Sequence, residues 1–231
     1  MESIIVSIGG SIFVPGKEQG IDHIRALAKV IGDCATDQRR IAVTVGGGDT
    51  ARRYIEWGKA IGCDEFTLDE VGIAITRVNA FLFIMALQGC DVAPCVMEDI
   101  PEAARTLQTQ HEIVVMGGTH PGHTTDAVAA MMAEKIRSSE VVNATVVAGV
   151  YEEDPKKNPK ARMFKKMRYD DLLHLLMKHE HEAGANLPFD ALGVRILKRS
   201  KIRLKVVDGR DLKNLKSAIV GGPFRGTEVG P

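Results

Sequence analysis

Three glycine clusters carry the first chemical signal in this chain. They are Gly9-Gly10-Ser11, Gly46-Gly47-Gly48, and Gly117-Gly118, which opens a longer loop to Thr125. Each follows a short apolar run and leads towards a helical pattern. Glycine lets the backbone approach a ligand and take positive φ, so that successive N–H groups converge on an anion. The N-terminus of the following helix also favours negative charge. One such loop is ordinary turn chemistry. Three at one edge of one sheet predict a crevice that holds more than one phosphate group. The richest segment is Gly117-Gly118-Thr119-His120-Pro121-Gly122-His123-Thr124-Thr125-Asp126. Its hydroxyls can donate and accept, and Thr124 or Thr125 is a natural helix N-cap.

Two phosphate fingerprints are almost present. Gly46-Gly47-Gly48-Asp49-Thr50-Ala51 fits G-x-G-x-x-[G/A], but the acid expected about 20 residues on should end a strand. Here Asp69 and Glu70 open a helical pattern instead, which argues against a nicotinamide site. Gly117-x4-Gly122-His123-Thr124 matches a Walker A loop except that His123 stands where the phosphate-binding lysine belongs. His120 and His123 have an i, i+3 spacing that suits a metal, but no third ligand is evident. His179-Glu180-His181-Glu182 reads as a solvated helix end, because i and i+2 side chains diverge on a helix. Cys34, Cys63, Cys90 and Cys95 show no C-x-x-C spacing and read as the reduced thiols of a cytoplasmic protein.

The elements that must position these loops alternate. Strands are predicted over 3–8, 41–45, 92–96, 113–116, 140–147 and 203–207. Helices are predicted over 21–35, 50–61, 70–88, 101–109, 126–136, 169–179, 189–199 and 212–219. Strands alternating with helices imply an α/β fold with a largely parallel sheet covered on both faces. The basic stretch 156–168 reads as a loop between an N-terminal and a C-terminal part. The 30 Lys+Arg against 30 Asp+Glu give zero formal charge, which argues against nucleic acid or an anionic membrane as partner. The uncharged apolar run Val78–Cys90 is too short to span a bilayer, and the chain starts directly on a strand pattern with no leader signature.

At its loops the sequence resembles the amino acid kinase superfamily, and within it the archaeal-type uridylate (UMP) kinases. The matching segments are Ile8-Gly9-Gly10-Ser11, Val45-Gly46-Gly47-Gly48 with Ala51-Arg52, and Asp69-x-x-Gly72 with Thr76-Arg77-x-Asn79-Ala80. They continue with Met116 through Ala127 and Gly149-Val150-Tyr151-x-x-Asp154-Pro155. The resemblance spans nearly the whole chain. It implies a single three-layer αβα sandwich with a mainly parallel sheet of roughly eight strands. About 1–138 would bind UMP and about 139–231 ATP, and Mg²⁺-dependent phosphoryl transfer would give UDP for pyrimidine nucleotide (CTP) synthesis. By the same resemblance Gly46, Arg52, Asp69, Thr119, His120, Pro121, Gly122, His123, Thr124 and Thr125 would hold UMP. Ser7, Gly9, Gly10, Ser11, Gly47, Thr145, Tyr151 and Asp154 would hold ATP. Gly9, Gly10, Ser11, Lys157 and Asp126 would serve the transferring phosphoryl group. A cytoplasmic homohexamer, with the helix 70–88 at an interface, is also implied.

Three positions depart from the family pattern. Ser7 stands where much of the superfamily has lysine. Val146 and Ala148 replace an amide and an acid of the usual T-N-V-D-G-V-Y strand. These two changes touch the ATP half and leave a second reading open: a nucleotide- or oxyanion-binding protein on the same fold.

Overall fold

Alternation along the strands divides the interior in two. In strand β1 (Glu2–Ile8), Ile4, Val6 and Ile8 pack into one layer and Ile5 into the other. Strand β2 (Arg39–Val45) repeats this with Ile41 and Val43 against Ala42. Period-two exchange between two buried faces is what a sheet covered on both sides requires. The computed structural model describes residues 2–13, 20–153, 155, 158, 160–179 and 189–231.

Among these residues lie seven strands in the order β3-β2-β1-β4-β6-β7-β5. Besides β1 and β2 they are β3 (Ile113–Met116), β4 (Glu140–Thr145), β5 (Lys166–Arg168), β6 (Arg203–Asp208) and β7 (Thr227–Gly230). All neighbouring pairs are parallel except β6 with β7. One layer is built by α2 (Gly20–Cys34), α4 (Glu65–Ala86) and α9 (Leu212–Ile219). The other holds α5 (Ile100–Thr109), α6 (Thr125–Lys135), α7 (Tyr169–His179) and α8 (Ala191–Ser200). Helix α3 (Gly48–Ala60) packs on α4 and on the short α1 (Gly10–Phe13). This is the expected three-layer αβα architecture.

Several local expectations are corrected. Residues 92–96 form no strand. Pro94 has no N–H to give a ladder, and only single bridges join Val92 to Ile113 and Met97 to Met116. Helix α4 starts at Glu65, not at residue 70, because the Asp64 carboxylate caps the Thr67 N–H at 2.9 Å. Asp69 and Glu70 therefore lie inside it. The first glycine loop is helical from Gly10. The end of the predicted loop 156–168 pairs as β5 with β7, and the antiparallel β7 carries no signal in the sequence strong enough to predict it. Among the described residues seven strands are found, against the roughly eight implied.

Candidate functional site

From β1 the chain steps out to β2 and β3, then returns to lay β4 on the other flank of β1. That reversal opens a crevice at the strands' C-terminal ends, between the loops after β1 and β4. The Gly9 N–H donates to Ala144 O at 3.0 Å across the gap. The loops after β1 and β2 interlock here. A Cβ on Gly10 would lie 2.0 Å from the Gly48 nitrogen, so only glycine permits the approach. Gly48 also holds φ +63°.

The loop after β2 feeds α3, whose N-cap is Gly47 with no side-chain cap. Helices α4, α5, α6, α8 and α9 are capped by Asp64, Asp99, Thr124, Asp190 and Asp211. The first amides of α3 are thus left for an external acceptor. They open onto a cavity of about 380 Å³ that also receives Arg52, Asp69, His123, Thr124 and Thr125. The Arg52 guanidinium donates to Ser11 Oγ at 3.1 Å and pairs with Asp49, joining the β1 and β2 loops. Asp69 Oδ2 accepts the Gly122 N–H at 2.7 Å, fixing the turn of the third loop. The buried Nδ1 of His123 has no hydrogen-bond partner among the described residues. Thr119 and Pro121 face a neighbouring recess beside Arg77 rather than this cavity, and the His120 ring meets the His123 ring edge to face.

At the crevice floor, Ser7 Oγ donates to Asp126 Oδ1 at 2.9 Å. Burial, with the Asp190 carboxylate nearby, pushes the Asp126 carboxyl up to about 7, and the Ser7 bond only partly offsets this. Asp190 accepts from the Thr124 hydroxyl and caps α8 through the Gly193 N–H at 2.7 Å. Two helix N-termini therefore meet over an acidic pair. No group of three His, Cys, Asp or Glu side chains suited to a metal occurs among the described residues.

On the far side of the crevice, Thr145 ends β4 and Tyr151 bridges to Met163. Asp208 stands opposite Thr145 in register. Its carboxylate is forked by Arg210 at 2.8 and 2.7 Å, and the same guanidinium reaches Val146 O at 3.0 Å. Lys157, Asp154 and the 180–182 part of the His/Glu run lie outside the described residues.

A model of the amino acid kinase family matches residues 2–208. The chain belongs to the amino acid kinase family. It is similar to the uridylate kinase of Natronomonas pharaonis, 40% identical over 99% of this chain and 98% of that one. It is also similar to the uridylate kinase of Thermococcus kodakarensis, 41% identical over 99% of each. The uridylate kinase structure from Archaeoglobus fulgidus superposes with TM-score 0.85 at 38% identity over 100% of both chains. The more distant UMP kinase from Ureaplasma parvum shares the fold at TM-score 0.80 and 21% identity. Within this family frame the site holds groups that the motifs did not include, Asp190 and the Asp208–Arg210 fork, while the motif residues Thr76, Arg77 and Asn79 of α4 gain a role no spacing gave them, gripping the loops. Asp190 meets Thr124 across 66 residues and Arg210 meets Val146 across 64, so no local spacing marks these contacts.

Proposed function

We propose that the protein transfers the γ-phosphoryl group of ATP to UMP, giving ADP and UDP for pyrimidine nucleotide (CTP) synthesis. The carrying observation is the cavity that gathers the uncapped N-terminus of α3, Arg52 and Asp69 beside the β1 loop. A phosphate suits the helix amides and the guanidinium fork. Asp69 offers its carboxylate to the ribose hydroxyls. Gly118, Gly122, His123, Thr124 and Thr125 line the cavity beside the base and phosphate, with Thr119, His120 and Pro121 assigned to the UMP side by family likeness alone. A UMP phosphate oxygen attacks the γ-phosphorus while the bond to the β-phosphate oxygen breaks. Gly9, Gly10 and Ser11 steady the group in transit, with Gly46 and Gly47 between donor and acceptor. Residues 139–231 supply the ATP half through Thr145 and Tyr151, with Asp154 and Lys157 assigned there by family likeness, and Ser7 at its border.

Mg²⁺ fits the residues present. It is bound through one or two carboxylates plus substrate phosphates, and Asp126 brings a half-buried carboxylate whose side-chain hydrogen bond, among the described residues, comes from Ser7. When bound, the ion neutralises charge on the transferring group. The four free thiols favour the cytoplasm. Exposed Val78, Phe81, Leu82 and Met85 on α4, beside Tyr54, Trp57 and Ile61 on α3, supply an apolar face for a homohexamer.

Arg52→Ala is the test. Loss of a charge-assisted phosphate contact should raise KM for UMP roughly 10- to 150-fold and leave KM for ATP nearly unchanged. Steady-state kinetics that move only the ATP constant would reverse the two halves. UMP binding without turnover in the wild type would leave the binding-protein reading.

A further inference from the structure

We infer that helix α4 is the ruler of the acceptor site: Thr76, Arg77 and Asn79 hold two substrate loops at a set separation and so decide which nucleoside monophosphate fits. The inference rests on the proposed function.

Asn79 is buried beneath the loop after β2. Its Nδ2 donates to Gly46 O at 2.8 Å and to Gly47 O at 3.3 Å. One turn earlier, Thr76 Oγ1 accepts the Gly118 N–H at 2.7 Å while donating to Ile73 O at 2.6 Å. Arg77 completes the grip. Its Nε donates to Gly118 O at 3.1 Å, one Nη to Thr119 O at 3.3 Å, and the other to Glu98. Three residues within four consecutive positions of one helix therefore bind the phosphate loop and the base loop together. A helix rises about 1.5 Å per residue and is stiff over one turn, so the separation of the loops is inherited from α4.

Close packing removes slack. A Cβ on Gly117 would stand 2.7 Å from Thr76 Oγ1 and 2.8 Å from the Arg77 nitrogen, and one on Gly118 would stand 2.9 Å from Ile73 Cγ1. The third loop is thus pressed onto α4 and cannot slide along it. Planar trans peptides carry N–H opposite C=O. By drawing in the carbonyls of Gly46, Gly47, Gly118 and Thr119, α4 also turns the N–H groups of the next residues away from itself. Gly72, Ile73 and Thr76 of the same helix line the cavity, so α4 both bounds the space and sets its length. These are positioning residues: they act on the substrate through the loops.

The test joins amide hydrogen exchange on ligand-free protein with steady-state kinetics. Asn79→Ala should speed exchange over 46–52 and spare 117–125, whereas Arg77→Lys, unable to fork, should do the reverse. Asn79→Ala should raise KM for UMP roughly tenfold to a hundredfold, as a misplaced loop does, and change KM for ATP less than about twofold. Arg77→Lys should lower the preference for UMP over AMP about tenfold. Thr76→Val should behave as a lost clamp and Thr76→Ser as wild type, which keeps the test open should Asn79→Ala not fold. A lower melting temperature with unchanged loop exchange and unchanged UMP constants would overturn the inference. If the wild type turns over no UMP, the proposed function falls, and the exchange results alone uphold or overturn the clamp.

Discussion

Asp126 shows how much a single side chain depends on its surroundings. Its carboxyl is raised to about 7, first by burial and then by Asp190. A folded-state value above the unfolded one means that the native state takes up a proton. This group's contribution to stability is therefore present in full below about pH 4 and lost as pH rises towards 7. Asp126→Asn should melt higher than wild type at pH 8, with the gap shrinking by pH 5. A gap independent of pH in thermal melts would show that Asp126 is not the titrating group. Arg52 and Asp69 were legible in the sequence as parts of spaced motifs. Asp190 was not, since the Thr124 contact that brings it to the site spans 66 residues.

At the scale of elements, the helices and most strands followed from pattern. Periodicity placed α7 at Tyr169–His179 and α9 at Leu212–Ile219, as observed. It misplaced the start of α4, where the cap Asp64 outweighed the weak apolar signal of the first turn. It also read residues 92–96 as a strand on apolar content, although Pro94 prevents a continuous ladder. The interlock of the β1 and β2 loops carries its own prediction. Gly10→Ala would drive a methyl into the backbone of Gly47 and Gly48, which cannot yield as a flexible side chain can. Such overpacking costs about 1–3 kcal/mol or more. The expected outcome is a lower denaturation midpoint together with loss of phosphoryl transfer. An unaltered midpoint in urea would mean that the loops separate freely.

The whole molecule is tied across β4 and β6 by a buried ion pair. Lys205 Nζ donates to Glu140 Oε1 at 2.7 Å and to Ala218 O at 2.9 Å, joining the sheet to the C-terminal end of α9, with Phe224 under the ammonium. Removing Lys205 leaves the buried Glu140 carboxylate with only the half-exposed Arg203 guanidinium at 3.3 Å. Lys205→Ala should therefore destabilise by about 3–5 kcal/mol, while Lys205→Met with Glu140→Leu should recover most of that loss. Chemical denaturation of the two variants decides between an ion pair that is needed and one that is merely tolerated. The exposed apolar face of α3 and α4 makes the second molecular-scale prediction. If the proposed homohexamer forms through this face, Phe81→Lys with Met85→Lys should reduce the mass seen by light scattering to smaller species. An unchanged mass would move the interface elsewhere.

Apolar periodicity and glycine spacing were enough to indicate an α/β chain with three phosphate-type loops, because period and local backbone freedom are properties of neighbouring residues. Likeness of motif supplied the family and the candidate contacts at Arg52, Asp69 and the 117–126 segment. Tertiary structure alone decided that β4 returns beside β1, which opens the crevice, and that β7 runs antiparallel to β6 and parallel to β5. It also decided that Asp126 and Asp190 face each other and that one turn of α4 holds two loops. Each of these rests on contacts between residues dozens of positions apart. Their energies come from burial and hydrogen-bond geometry that no local spacing encodes.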